Sequence, residues 1–242
     1  MDEGATAPMS AGDAAAIDGP RATARRSVRR RPSDIAWFAA AIAVVAAASL
    51  AIDGASVGSF EERIFRWVND GPDFLYPGWW VLMQYGTFIT IPLAALISLL
   101  LRRVRLAIEL AVAGIGVYLF AKVVKEAFPR GRPGAVLEGT ELRGIGPEGL
   151  GFPSGHAAVS AALAFVLFAY LPRGWRWAFV ALGVIVSLGR LYVGAHLPLD
   201  IVGGAALGVA AAALVTLVGG VPDRTGEWRP SPSAIAGEHD GG

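Results

Sequence analysis

Apolar runs of membrane-spanning character dominate this chain, at residues 35–52, 78–101, 104–124, 156–171, 175–193 and 197–218. Each approaches or reaches the roughly 20 residues that carry a helix across a bilayer. The pattern predicts an all-α, integral membrane six-helix bundle over residues 35–219, with an extracytoplasmic loop between the third and fourth membrane helices. Residues 59–69 follow a different rhythm. Phe60, Ile64, Trp67 and Val68 share one helical face while Glu61, Glu62 and Arg66 lie elsewhere. That segment reads as a short helix lying in the interface, with an ordinary surface turn as the alternative. Tyr76, Trp79 and Trp80 stand where an aromatic belt is expected.

The ends read differently. Residues 1–34 are rich in Ala, Gly and Arg and predict a disordered basic arm, and residues 220–242, rich in Gly, Pro and Ser, predict a disordered tail. His239 lies in that tail and has no expected role. A basic stretch before an apolar run also fits a signal peptide. The run at 35–52 exceeds the 7–15 residues usual for a signal core, so a retained helix is expected.

Charge adds orientation. Arginines cluster in the N-terminal arm, at Arg102, Arg103 and Arg105, and at Arg173 and Arg176. With six spans these fall on one side, and the positive-inside rule makes it the cytoplasm, with both termini. The segments around 59–73 and 126–152 and the turn near Gly194 then face out, in a multi-pass protein of the cell membrane. A net charge of +1 gives no basic surface for nucleic acid. The absence of cysteine excludes disulfides, thiolate metal ligands and a cysteine nucleophile.

Against this apolar background, two polar islands stand out. One holds Lys125, Arg132-Pro133 and Pro153-Ser154-Gly155-His156; the other holds Arg190, His196 and Asp200. Ionisable groups at membrane depth are costly, so their clustering points to a site. Ser154 suits a helix cap, Gly155 admits close approach of a ligand to the backbone, and a helix start favours an anion. The alternative is a cap with an incidental histidine. Pro198 suits a first helical turn, which sets His196 and Asp200 one turn apart. A carboxylate on one imidazole nitrogen makes the other a better nucleophile or base, although a purely structural cap is also compatible. Lys122 with Glu126, Arg105 with Glu109, and Arg130 and Arg143 as loop charges have bland readings, and nothing recruits Glu109, Lys122, Arg130 or Arg143 to catalysis.

The order and spacing of these motifs (Lys125, six residues, Arg132-Pro133; Pro153-Ser154-Gly155-His156; Arg190, five residues, His196, three residues, Asp200) resembles the type-2 phosphatidic acid phosphatase superfamily, over roughly residues 104–218. That superfamily also includes vanadium haloperoxidases and bacterial acid phosphatases. The resemblance implies that His196 attacks phosphorus and forms a phosphohistidine, that Asp200 orients it, and that His156 protonates the leaving oxygen. It implies that Lys125, Arg132 and Arg190 hold the phosphoryl oxygens with Ser154 and the Gly155 amide. No metal or other cofactor is implied, and the implied partner is a lipid phosphate in the bilayer: a polyprenyl diphosphate such as undecaprenyl diphosphate, phosphatidylglycerophosphate or phosphatidic acid. One position departs from the family, where serine usually precedes the third-motif arginine; here it is Gly189, and Ser187 lies two residues earlier. A non-catalytic protein that binds or translocates phospholipid is the alternative, although it would need neither histidine. The motifs leave the lipid tail and headgroup, the preference between diphosphate and monophosphate, and the oligomeric state open.

Overall fold

The computed structural model describes residues 28–52 and 56–222. Of the disordered arm expected over residues 1–34 and the tail expected over 220–242, residues 1–27 and 223–242, with His239, lie outside the described residues; the described parts are structured, residues 28–29 and 221–222 as strands and residues 32–34 as the start of the first helix. Among the described residues, nine α-helices carry the fold: α1 (Pro32–Ala51), α2 (Ser59–Asn69), α3 (Tyr76–Met83), α4 (Thr90–Leu100), α5 (Val104–Ala127), α6 (Pro133–Val136), α7 (Gly155–Tyr170), α8 (Arg173–Tyr192) and α9 (Pro198–Gly219). Two strands of two residues each, β1 (Val28–Arg29) and β2 (Val221–Pro222), pair antiparallel where the chain enters α1 and leaves α9.

Four helices, α1, α5, α8 and α9, are long and apolar enough to cross a membrane. The run at 78–101, predicted as one helix, is broken: Asp73–Gly86 and Thr90–Leu100 meet at 65° and make at most one further span. Hydropathy misses the break because both sides are apolar. The hinge is set by Thr87 and Thr90, whose hydroxyls both donate to the Gln84 carbonyl at 2.7 and 2.6 Å. Apolar side chains such as Ile42, Leu93, Leu96, Val112, Leu119 and Val184 are exposed along the outside. A continuous apolar exterior of that kind is suited to hydrocarbon rather than water.

The hub is α7. Ala158, Val159, Ala162, Leu163 and Val166 pack with Leu110, Ala113, Val117 and Ala121 of α5 and with Leu207 and Ala212 of α9. The small residues Gly204, Gly208 and Ala212 lie along the α9 face that meets α7. A Cβ added at Gly208 would collide with the Ala158 carbonyl oxygen, and one at Gly204 with the Ser154 backbone. These two helices therefore touch backbone to backbone, the packing that small residues spaced by four permit. The seam sets the start of α7 beside the start of α9, where the Ser154 amide donates to the Asp200 carbonyl at 2.8 Å.

The segment at 59–69 is helical as expected, with Phe60 and Trp67 exposed, but the face it turns inward is partly polar. Glu61, Phe65 and Asn69 are buried. Asn69 donates to the carbonyls of Glu141, Leu191 and Tyr192 and accepts from the Glu141 amide. Arg66 donates to the carbonyls of Glu138 and Gly139. The helix thus clamps the long α5–α7 loop over the end of the bundle. The aromatic belt is corrected in part: Trp79 stacks on Tyr192 at 5.6 Å and packs with Tyr76 inside, and Trp80 faces outward.

Candidate active site

The site lies at the end of the bundle under that loop, where α5 ends and α7 and α9 begin. Ser154 caps α7, its Oγ accepting from the Ala157 amide at 3.4 Å. Gly155 and His156 follow, both half-buried at the mouth. Pro198 opens α9 as expected, and His196 precedes that helix rather than sitting on it. The preceding turn needs Gly194 at a φ of +73°, where a Cβ would also strike the Glu141 carbonyl oxygen. In that turn the amides of Ala195 and His196 both donate to the Arg190 carbonyl, at 3.0 and 3.3 Å. The third-motif arginine and the histidine are therefore locked together by backbone.

Asp200 is fully buried. Its Oδ2 accepts from the Leu197 amide at 2.8 Å, the return half of a helix capping box, and stands 3.7 Å from His196 Nδ1. That separation is longer than a hydrogen bond. It nevertheless identifies Nδ1 as the nitrogen facing the carboxylate, so that Nε2 is left for chemistry. Burial pushes the His196 imidazole down to about 4, helped by Arg190 and Lys125 and opposed by Asp200. The ring is therefore neutral near pH 7, the form a nucleophile needs.

Cations of both islands act on one ring. His156 is under the electrostatic influence of Arg190, His196, Arg132 and Lys125 together. Lys125 Nζ donates to the carbonyls of Leu150 and Gly151 at 2.8 and 3.1 Å, which ties α5 to the returning loop. Arg132 lies along Gly149, whose φ is +100°. Among the described residues, the Nε groups of Arg132 and Arg190 have no hydrogen-bond partner although buried, and neither has His196 Nδ1. Buried donors without a protein acceptor are rare. Near a helix N-terminus, the two guanidinium groups have the donors to hold a phosphoryl group.

Gly189 has a physical reason. A Cβ there would fall 2.7 Å from Met83 Cγ and 3.1 Å from Trp79. Met83 and Trp79 of α3 occupy the space that a side chain at 189 would fill, and Met83 Sδ lies 3.8 Å from Arg190 Nη1. Ser187 does not substitute: its hydroxyl donates to Gly183 within its own helix.

Of the four residues assigned no part in catalysis, Glu109 pairs with Arg105 at 2.9 Å, and Lys122 lies 4.6 Å from the Tyr118 ring. Arg143 braces the loop through the carbonyls of Asn69, Gly71 and Tyr192. Arg130 requires a correction. It is a fully buried member of the site: Nη1 donates to Asp200 Oδ1 at 3.1 Å, and the guanidinium pairs with both oxygens of Glu61, at 3.0 and 2.5 Å. Glu61 was likewise absent from the predicted site. The only signal was local: Glu61 is a charge on the same helical face as Phe65 and Asn69, the face that proves to be buried.

A profile of the PAP2 superfamily matches residues 104–221. The undecaprenyl-diphosphatase of Sulfolobus acidocaldarius is 30% identical over 152 residues, 62% of this chain and 73% of that protein. The solved structure of Aquifex aeolicus LpxE has the same fold, with a TM-score of 0.60 at 22% identity, covering 65% of this chain and 95% of that one. The first transmembrane PAP2 type phosphatidylglycerolphosphate phosphatase from Bacillus subtilis gives a TM-score of 0.57 at 22% identity, covering 76% of this chain and 94% of that one.

Proposed function

This chain belongs to the PAP2 superfamily and is a membrane lipid phosphatase; from that premise we propose that it hydrolyses a lipid phosphate or diphosphate at the outer face of the membrane through a phosphohistidine. His196 Nε2 attacks phosphorus, and the ester or anhydride oxygen leaves with a proton from His156. Water, giving a proton to His156, then attacks phosphorus; the P–N bond to His196 breaks, inorganic phosphate leaves and both imidazoles are restored. Lys125, Arg132 and Arg190, with Ser154 and the Gly155 amide, hold the equatorial oxygens, where charge develops. The observation that carries this reading is the His196–Asp200 pair, 3.7 Å apart, opening toward three cations and His156. A binding or translocating protein would need Asp200 as a helix cap but neither histidine.

The topology is part of the proposal. The bent pair and the 16-residue α7, added to the four long helices, make six spans. At roughly 24 Å, α7 is shorter than the hydrocarbon layer, which recesses its N-terminus and the cage below the outer surface. Pairing of β1 with β2 supports an even number of crossings, with residues 28 and 222 on one side. Arg105 Nη2 donates to the Gly220 carbonyl at 2.8 Å, which places the start of α5 at that same end, opposite the site. The arginines of that end are cytoplasmic by the positive-inside rule. The membrane unit of this proposal runs from the start of α1 to the end of α9, residues 32–219, with β1 and β2 closing it. An outward site favours a lipid whose headgroup reaches the outer leaflet, and the relation to an undecaprenyl-diphosphatase favours a polyprenyl diphosphate over phosphatidylglycerophosphate or phosphatidic acid.

The test is phosphate release by detergent-purified protein, in chelator, from a polyprenyl diphosphate, phosphatidylglycerophosphate and phosphatidic acid. We expect release from at least one of them and its loss in His196→Ala. Undiminished activity in that variant would remove the assigned nucleophile.

A further inference from the structure

Three charges of the site's outer wall form a chain that the phosphoryl cage does not use. Glu61 projects from α2, Arg130 from the loop after α5, and Asp200 from the first turn of α9. All three are buried, Arg130 to 1% exposure and Asp200 to 0%. Glu61 grips Arg130 with both oxygens and also accepts from the Leu199 amide at 2.9 Å. Arg130 in turn binds Asp200 Oδ1, while Asp200 Oδ2 faces His196. Burial works against the Arg130 charge, yet Glu61 and Asp200 together raise its pKa above the ordinary value. A buried ion triad is a poor source of stability, because desolvation consumes most of its attraction. Its geometric effect is larger. Each Asp200 oxygen is assigned to a different partner, and the carboxylate is left no freedom to turn away from the imidazole.

We propose that Glu61 and Arg130 are positioning residues for the phosphatase reaction, holding Asp200 so that His196 presents Nε2 to phosphorus; this rests on the assignment of His196 as nucleophile. Glu61 joins two elements that meet at the site: the loop bearing Arg130 and, through the Leu199 amide, the first turn of α9. It sits on α2, whose other face carries the exposed Phe60 and Trp67. The helix that lies in the interface is therefore also the outer support of the nucleophile.

Glu61→Gln keeps the shape and removes the charge, and Arg130→Lys keeps the charge and removes the fork. Both are measured by steady-state kinetics beside wild type, His196→Ala and Asp200→Asn. We expect kcat to fall roughly 10- to 100-fold in each variant, the range seen when a group orienting a reacting residue is lost, with KM within about twofold of wild type. We further expect Glu61→Gln to add little to Asp200→Asn, because its effect passes through that carboxylate. Unchanged kcat, a change confined to KM, or full additivity in the Asp200→Asn background would overturn the proposal. So would loss of folded protein in both variants, which would assign the pair to stability alone. Retained activity in His196→Ala would instead point to the underlying reaction, and it is read from a different protein sample.

Discussion

Asp200 has two oxygens and three partners: the Leu197 amide, the Arg130 guanidinium and the His196 ring. Asp200→Asn retains the size but places an NH2 where an acceptor is needed, and it either loses the helix cap or presents a donor to His196. We expect kcat to fall by about a thousandfold or more with a small change in KM, as when an orienting aspartate is amidated in other triads; a loss confined to KM contradicts the orienting role. The neutral state of His196 has a consequence for stability. Its folded pKa, about 4, lies below that of the unfolded chain, so between pH 6.5 and 4 the unfolded state binds a proton that the folded state refuses. Stability therefore falls as pH drops through that window, by up to about 3 kcal/mol from this group, and is unaffected by it above pH 6.5. Thermal unfolding of wild type and His196→Gln in detergent, compared at pH 7 and pH 4.5, should show the larger drop in wild type; equal drops would mean that the ring is charged in the fold. Gly189→Ser, which restores the family residue, should destabilise by about 1–3 kcal/mol because Met83 already occupies that space. Met83→Ala in the same chain should relieve it.

At the scale of elements, the α7–α9 seam decides whether the two halves of the site meet. Ala158 and Ser154 present backbone to Gly208 and Gly204, and backbone does not move aside as a flexible side chain does. Gly208→Val should lower the melting temperature markedly and abolish activity together with it, whereas an equally large change at the exposed Leu214 of the same helix should do neither. Much of this level was legible in the sequence. The apolar runs locate α1, α5, α8 and α9, the small-residue spacing marks the seam, and the motif spacing names the residues from which the proposed cage is built. What escaped was non-local. The 65° break before Thr90 lies within uniformly apolar chain, so hydropathy passes over it, and the hydroxyl bonds that make it are visible only in three dimensions. Arg130 reads as one more loop charge until Glu61, 69 positions earlier, is found against it. Trp79 and Tyr76 have the composition of a belt, but their place was set by the pocket around Tyr192.

At the scale of the molecule, the charge asymmetry and the closure of the chain ends are independent signs of one orientation. The β1–β2 pairing and the Arg105–Gly220 bond put the N-terminal entry, the end of α9 and the start of α5 at one end. The site lies at the other, covered by the loop that α2 clamps. Positive residues at the first end resist translocation, which is the basis for the proposed orientation with that end inside. The chain contains no cysteine, so a single one can report its side without background. Glu138 and Arg173 are exposed at opposite ends, one in the loop over the site and the other in the turn that opens α8. In intact cells, an impermeant maleimide should label Glu138→Cys and leave Arg173→Cys unmodified until the membrane is opened. Labelling in the reverse order would put the cage in the cytoplasm, and a phosphatase of that orientation would draw on lipid headgroups of the inner leaflet instead.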